Sequence, residues 1–338
     1  MRDERTGPGL PQDRGPVSAA MTGALRDGGP PAVEDDAAAA ADPYGDDLQL
    51  ALYVAYELHY RGFAGVDPER EWDPELLRFR AVLERRFLDA LRADATVHTS
   101  AADALAGLLV EPVGGDGVSP VLERSGTRSQ LREYAAQRSL YHLKEADPHA
   151  WVLPRLWGRA KAGMAAVEFD EFGGGRPERV HARLFADLMT DLGLDTTYGR
   201  YLDAAGAEML AVVNLMSLFG LHRALRGALV GHFAAVEVTS SPASRRLAGA
   251  MRRAGAGPAA EFFYTEHVEA DAVHEQVVRH EVVDGLLAAE PHLDRDIAFG
   301  IDATGFLDDR FGERLLSAWR AGESSLRVAI EPDLVHVP

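Results

Sequence analysis

The chain has 338 residues, a hydrophobic content of 46% and no cysteine, so it can form a large core but no disulfide or thiolate metal site. Its length allows one large or two small domains. Its net charge of −18 argues against nucleic acid and an anionic membrane surface as partners, because both need a basic footprint. Any metal here must be held by His, Asp and Glu side chains.

The N-terminal part of the chain carries no signal for structure or export. Residues 1–45 are rich in Pro, Gly, Ala and Asp without apolar periodicity, which predicts disorder. Met21 is an alternative to Met1 as the true start. The first residues lack the apolar stretch of a secretory signal, so a cytoplasmic location is expected.

From Asp46 onward, the spacing of apolar residues predicts helices almost throughout. The second of them, Pro74–Arg92, has Asp73 as a predicted N-cap. The most apolar stretch, Met209–Leu221, is too short to span a bilayer and predicts a buried core helix. Predicted helices span 47–63, 74–92, 99–109, 128–147, 149–171, 177–192, 197–219, 221–236, 241–254, 258–289 with a break near His267, and 292–321.

These elements predict an all-α fold, since neither alternating hairpins nor a βαβ rhythm occurs. The predicted organisation is a disordered segment over residues 1–45, a helical bundle over 46–325 and a C-terminal tail over 326–338. The tail alone has a strand-like composition. Ser240 is predicted to cap the helix that begins beside Pro242.

One predicted helix carries a metal-binding pattern. His267, Asp271 and His274 are spaced as H-x-x-x-D-x-x-H, and offsets of four and seven residues return to nearly the same side of a helix. Two imidazoles and one carboxylate on one face suit iron, manganese or zinc. A single pattern of this kind also arises by chance, so it needs further donors elsewhere in the chain.

Further candidate donors lie upstream. In DEFGGGRPERVHARLF, Glu171 ends one predicted helix and His181 lies in the next, and the glycines between them permit a tight turn that brings the two together. Glu145 lies near the end of an earlier predicted helix. Three carboxylates and three imidazoles match a pair of metal ions that share bridging carboxylates and keep open positions.

A different carboxylate assignment stays open. Glu178 with His181, and Asp271 with His274, form two acid-x-x-His pairs, as in ferritin-like di-iron proteins when two further helices each add a Glu. The extra donors are then Glu145 and either Glu208 or Glu237. Such a protein stores or binds iron without a dedicated organic substrate.

The order of Glu145, DEFGGGRPERVHARLF and EHVEADAVHEQV resembles the haem-oxygenase-like dimetal oxidases, also described as iron-containing redox enzymes. The segment ELHYRGF (Glu57–Phe63) is similar to the same group. The resemblance implies a haem-oxygenase-like helical bundle with extra N-terminal helices and two Fe(II) ions, with Mn also compatible. It also implies the metal ligands Glu145, Glu171, His181, His267, Asp271 and His274.

The same resemblance implies O2-dependent oxidation of a small amino-acid-like or aliphatic carboxylate substrate. The implied outcomes are C–H desaturation or hydroxylation, oxidative cyclisation or N-oxygenation, in secondary-metabolite biosynthesis. An external electron donor is expected, and a homodimer is possible. Arg155, Arg159 and Arg183 flank the motifs and can either pair with a substrate carboxylate or form surface salt bridges.

Overall fold

The computed structural model describes residues 7–33, 35–95, 97–110 and 115–332, and these residues contain no β-strand. The all-α prediction is confirmed. The α-helices, in chain order, are α1 (Pro16–Asp27), α2 (Asp35–Ala40), α3 (Asp46–Glu57), α4 (Pro74–Asp94), α5 (Ala101–Leu108), α6 (Val118–Ser125), α7 (Arg128–His142), α8 (Asp147–Ala150), α9 (Gly158–Glu171), α10 (His181–Asp191), α11 (Ala207–Leu221), α12 (Arg226–Arg253), α13 (Pro258–Val277), α14 (Asp284–Ala289) and α15 (Asp294–Arg320).

Helix α12 is the central helix of the bundle and packs against α13 on one side and α15 on the other. Glycines allow the backbones of α12 and α15 to approach each other closely. A Cβ on Gly231 would lie 2.0 Å from the Ile297 carbonyl oxygen, and one on Gly300 would lie 2.0 Å from that of Ala228. Only glycine at these two positions lets the two backbones meet at this distance.

Helix α11 is buried along nearly its whole length, as predicted for Met209–Leu221. Across the part of the chain that the structure describes, no single helix is long and apolar enough to cross a membrane. One pair of helices is long and apolar enough when its two members are taken together, but they are bent by 106° relative to each other: Ala207–Leu221 and Arg223–Arg253.

The prediction of disorder over residues 1–45 is wrong for α1. Its Met21 is fully buried, and the Asp47 carboxylate accepts hydrogen bonds from the Val17 and Ser18 backbone N–H groups at 3.0 and 2.7 Å. Contacts with the Asp47 side chain therefore stabilise α1, although its own sequence has no helical spacing of apolar residues. Residues 1–6 lie outside the described part of the chain, as do residues 333–338 of the tail.

Two predicted helix breaks are also wrong. Helix α12 continues through Pro242, although two separate helices were predicted there, and α13 is unbroken at His267. The only irregular part of the latter region is a π-helix over Val278–Val283. Pro242 is tolerated because α12 is held by packing along its length, and the neighbouring Ser241 hydroxyl donates to the Val268 carbonyl at 3.2 Å.

Three predicted helices around the candidate site are too long. The 128–147 helix ends at His142, and a turn separates it from the short α8. The 149–171 helix begins only at Gly158, and the 177–192 helix begins at His181 after a 3-10 turn. Pro154, Gly158 and Pro177 delay the starts of the second and third helices beyond what apolar spacing indicates. The first helix ends early without a Pro or Gly before Pro148. Asp73 does cap α4, through the backbone N–H groups of its first turn, as predicted.

Candidate metal centre

Helix α13 brings His267, Asp271 and His274 to one buried face, as their spacing predicts. Their side chains are 7%, 2% and 2% exposed. Val273, next to His274 in the chain, is 61% exposed, so the opposite side of the same helix faces outward. The helix therefore points two imidazoles and one carboxylate into the protein.

The turn between α9 and α10 brings Glu171 back to His181. Gly173, Gly174 and Gly175 all adopt positive φ angles, which only glycine adopts readily. The Glu171 Oε2 atom lies 2.7 Å from His181 Nδ1, and both residues are buried. The predicted approach of these two residues across the glycine turn is confirmed.

Glu145 lies outside any helix, in the turn between α7 and α8. One turn of helix earlier, His142 places its Nδ1 atom 2.9 Å from Glu145 Oε2. The His142 ring packs against Phe185 and Phe263, with centroids 4.6 and 5.4 Å away. His142 thus fixes the direction of the carboxylate from a position that is itself held by apolar contacts.

The segment ELHYRGF (Glu57–Phe63) anchors the turn that presents Glu145. Lys144, which is buried, donates to Glu57 at 2.8 Å. The Glu57 carboxylate also accepts from the Tyr198 hydroxyl at 2.7 Å. Arg61 donates to the Leu143 carbonyl at 3.0 Å. Two charged side chains of this segment therefore bind consecutive residues just before Glu145.

The six residues form two groups of donor atoms with one member in common. Atoms of Glu145, Glu171, His181 and His267 lie within 4.8 Å of one another, and so do atoms of Glu171, Asp271 and His274. Glu171 Oε2 faces His181 Nδ1 at 2.7 Å, and Glu171 Oε1 lies 3.6 Å from His274 Nδ1. The two oxygens of one carboxylate thus face different groups, as a carboxylate that bridges two ions does.

Among the described residues, His267 Nε2 is a buried nitrogen atom without a hydrogen-bond partner. The His267 Nδ1 atom donates to the Phe263 carbonyl at 2.7 Å, which leaves Nε2 as an acceptor without a donor. Buried polar atoms without partners are costly, so His267 Nε2 fits the requirement of a metal ion for a free imidazole lone pair. His181 Nδ1 instead faces the Glu171 carboxylate, and a metal ion must displace its proton.

Helix α12 adds two polar side chains to the second group. Glu237, which is buried, places Oε2 at 3.2 Å from His274 Nδ1. The Ser240 hydroxyl donates to Asp271 at 2.6 Å. The sequence suggested Glu237 only as a donor in the ferritin-like assignment and Ser240 as a helix cap, and the cap prediction is wrong. An acid within the apolar run FAAVEV was the signal available for Glu237.

The metal-free cluster shifts the pKa values of its members. Burial alone lowers the pKa of His181, but Glu171 and Glu145 outweigh it and raise the pKa to about 9. His274 reaches about 9 in the same way, with Glu237 the largest opposing influence. Burial raises the pKa of Glu237 to about 8, whereas His142 overcomes burial and lowers that of Glu145 to about 2. Imidazolium and carboxylate groups therefore balance one another in the absence of metal.

The structure does not bring together the residues of the ferritin-like assignment. Glu178 lies exposed in the 3-10 turn that precedes α10, and Glu208 belongs to neither donor group within the described residues. Arg159 and Arg183 pair at the surface with Glu281 and Asp187. Arg155 donates to the carbonyls of Gly220 and Leu221 at the end of α11.

Residues 132–308, more than half of the chain, match the model of the iron-containing redox enzyme family. The chain therefore belongs to that family, and its helical architecture is the haem-oxygenase-like one. It is also 27% identical over 271 residues to a nitrosourea synthase from Streptomyces achromogenes subsp. streptozoticus. The match covers 75% of this chain and 56% of that protein, so the chain spans little more than half the length of this relative.

Proposed function

We propose that the protein is a non-haem di-iron enzyme that uses O2 to oxidise a small organic substrate. The observation that carries the proposal is the position of Glu171, whose two oxygens face two separate groups of donors. One ion is then held by Glu145, His181 and His267, and the other by Asp271 and His274, with Glu171 between them. Glu237 supplies an additional ligand to the second ion, since it lies beside His274.

Two ferrous ions supply the reducing electrons and the open positions at which dioxygen chemistry takes place. The residues of the chain hold the ions and orient them. His142 and Ser240 fix the carboxylates of Glu145 and Asp271 through the hydrogen bonds described above. Burial of the whole cluster excludes bulk water from the reacting groups.

The family and the nitrosourea synthase similarity support an oxidation. As the resemblance of the metal motifs implies, we extend the proposal to an amino-acid-like or aliphatic substrate, with C–H oxidation, oxidative cyclisation or N-oxygenation as the outcome. An external donor supplies further electrons where the reaction needs them. We include a homodimer in this proposal, because closed two-fold assemblies are the commonest form of soluble oligomer. Manganese is the alternative metal, since its ligand preferences overlap with those of iron.

Anaerobic loading with Fe(II) tests the ligand assignment. The wild-type protein is expected to bind two ions per chain, and His181→Ala and His267→Ala are expected to reduce that number. Glu178→Ala is the matched control, because Glu178 lies next to the cluster in sequence but is exposed. Unchanged iron content in both histidine variants contradicts the assignment, and a loss in Glu178→Ala revives the ferritin-like one.

Stopped-flow mixing of the Fe(II) protein with O2, with and without a panel of amino acids, tests the activity. A transient absorption that appears only with one of these compounds is the expected result. Oxygen consumption that no organic compound changes supports iron storage instead.

A further inference from the structure

Helix α9 carries a second buried acid, one turn before Glu171. Glu168 is 2% exposed, and neither of its carboxyl oxygens has a hydrogen-bond partner among the described residues. Leaving a buried carboxyl group unpaired is costly, so such a group indicates a missing partner. Glu171, on the same buried side of the helix, lies in the metal cluster.

The proposed metal ions do not supply that partner. Glu168 belongs to neither group of donor atoms. Glu145, Glu171, Glu237 and Asp271 together carry four negative charges, which two divalent ions neutralise, and the coordinated imidazoles are neutral. Both ions bound would therefore still leave the Glu168 carboxyl group without a partner.

The neighbours of Glu168 make its surroundings negative. Burial raises the pKa of Glu168 to about 9, and the charged groups that add to this rise are Glu171, Glu237 and Asp147. Asp147 is partly buried, and burial raises its pKa. Arg61 and Lys144 act on Asp147, but both are held by contacts in the turn before Glu145.

We propose that Glu168 binds a cationic group of the substrate, an ammonium or a guanidinium, next to the metal centre. Such a group donates N–H hydrogen bonds to both carboxyl oxygens, and its positive charge stabilises the ionised carboxylate that burial alone disfavours. Arg159 and Arg183 form ion pairs at the surface, with Glu281 and Asp187, so neither pairs with Glu168. This inference rests on the proposed function and narrows its substrate class.

The test uses pairs of compounds that differ in charge but little in shape: L-lysine with L-norleucine, and L-arginine with L-citrulline. Both members of a pair chelate a metal equally through their α-amino acid ends, so a difference reports the side chain. Calorimetric titration of the Mn(II)-loaded wild-type protein is expected to show about tenfold or tighter binding of the cation in at least one pair. Glu168→Gln is expected to abolish that preference and to keep the wild-type metal content and melting temperature. Glu178→Gln is the matched control and is expected to keep the preference.

Equal binding of both members in both pairs, or no binding of either cation, overturns the proposal. So does a preference that persists in Glu168→Gln. Loss of metal in Glu168→Gln overturns it as well, because it makes Glu168 part of the metal site. A wild-type protein that takes up fewer than two ions contradicts the di-iron proposal itself. That result is distinct from the outcomes that overturn the role of Glu168.

Discussion

His181 and His274 hold protons that a metal ion must displace. Their pKa values of about 9 lie above the ordinary 6.5, so both imidazoles are charged in the metal-free protein near neutral pH. Their contribution to the stability of the metal-free fold is complete below pH 6.5 and is lost as the pH rises through about 9. Metal binding requires the neutral form and therefore strengthens over the same interval.

We predict that the affinity for Mn(II) rises steadily between about pH 6.5 and 8.5, with release of about three protons per cluster near neutral pH, one each from His181, His274 and Glu237. Competition titrations at several pH values measure the affinity, and calorimetry in buffers of different ionisation enthalpy measures the proton release. An affinity independent of pH contradicts the assignment of these two residues as ligands.

Ser240 acts on the cluster through its hydrogen bond to Asp271. Side chains that orient a metal ligand typically contribute about 10–100-fold to metal affinity. We expect Ser240→Ala to weaken Fe(II) binding in that range with little change in unfolding free energy. Thr239→Ala is the control, because the Thr239 hydroxyl donates to the Ala235 carbonyl of its own helix at 2.8 Å. Equal affinities of the two variants contradict this role.

At the scale of elements, the turn between α7 and α8 depends on an ion pair with Glu57, 87 residues earlier in the chain. Lys144 and Glu57 are 2% and 0% exposed, and removal of one member of such a buried pair typically costs about 3–5 kcal/mol. We predict that Lys144→Met lowers the unfolding free energy by about this amount and also weakens Fe(II) binding, since the turn presents Glu145.

The double variant Glu57→Gln/Lys144→Met is expected to recover most of that stability, because no unpaired charge remains. Lys161→Met, at an exposed lysine of α9, is the control. Denaturant unfolding and anaerobic iron titration measure the two effects. A Lys144→Met protein as stable as the control disproves the anchoring role.

The elements also show what apolar spacing can and cannot predict. The His267, Asp271 and His274 face follows from helical geometry alone, and the approach of Glu171 to His181 follows from the glycines between them. The continuity of α12 through Pro242 does not follow, because it depends on packing against α13 and α15. The roles of Glu237 and Ser240 in the metal cluster do not follow from the sequence either, because their partners lie on a different helix.

At the scale of the whole molecule, the N-terminal segment belongs to the same core as the helices that support the site. Its order depends on contacts with α3, which the local sequence pattern does not predict.

Met21 is fully buried, and Met→Ala changes in cores cost about 2–5 kcal/mol. We predict a loss of this size for Met21→Ala in denaturant unfolding. Val97→Ala, at a residue 75% exposed, is expected to change stability by less than about 0.5 kcal/mol. Identical stability of the two variants restores the interpretation of this segment as disordered.

If Glu171 joins two metal sites, a crystal grown anaerobically with Fe(II) will reveal both through anomalous scattering at the iron edge. We predict two peaks about 3.5–4 Å apart. One peak is expected beside His181 and His267 and the other beside Asp271 and His274, with the Glu171 carboxylate between them. A single peak, or two peaks that do not both contact Glu171, contradicts it.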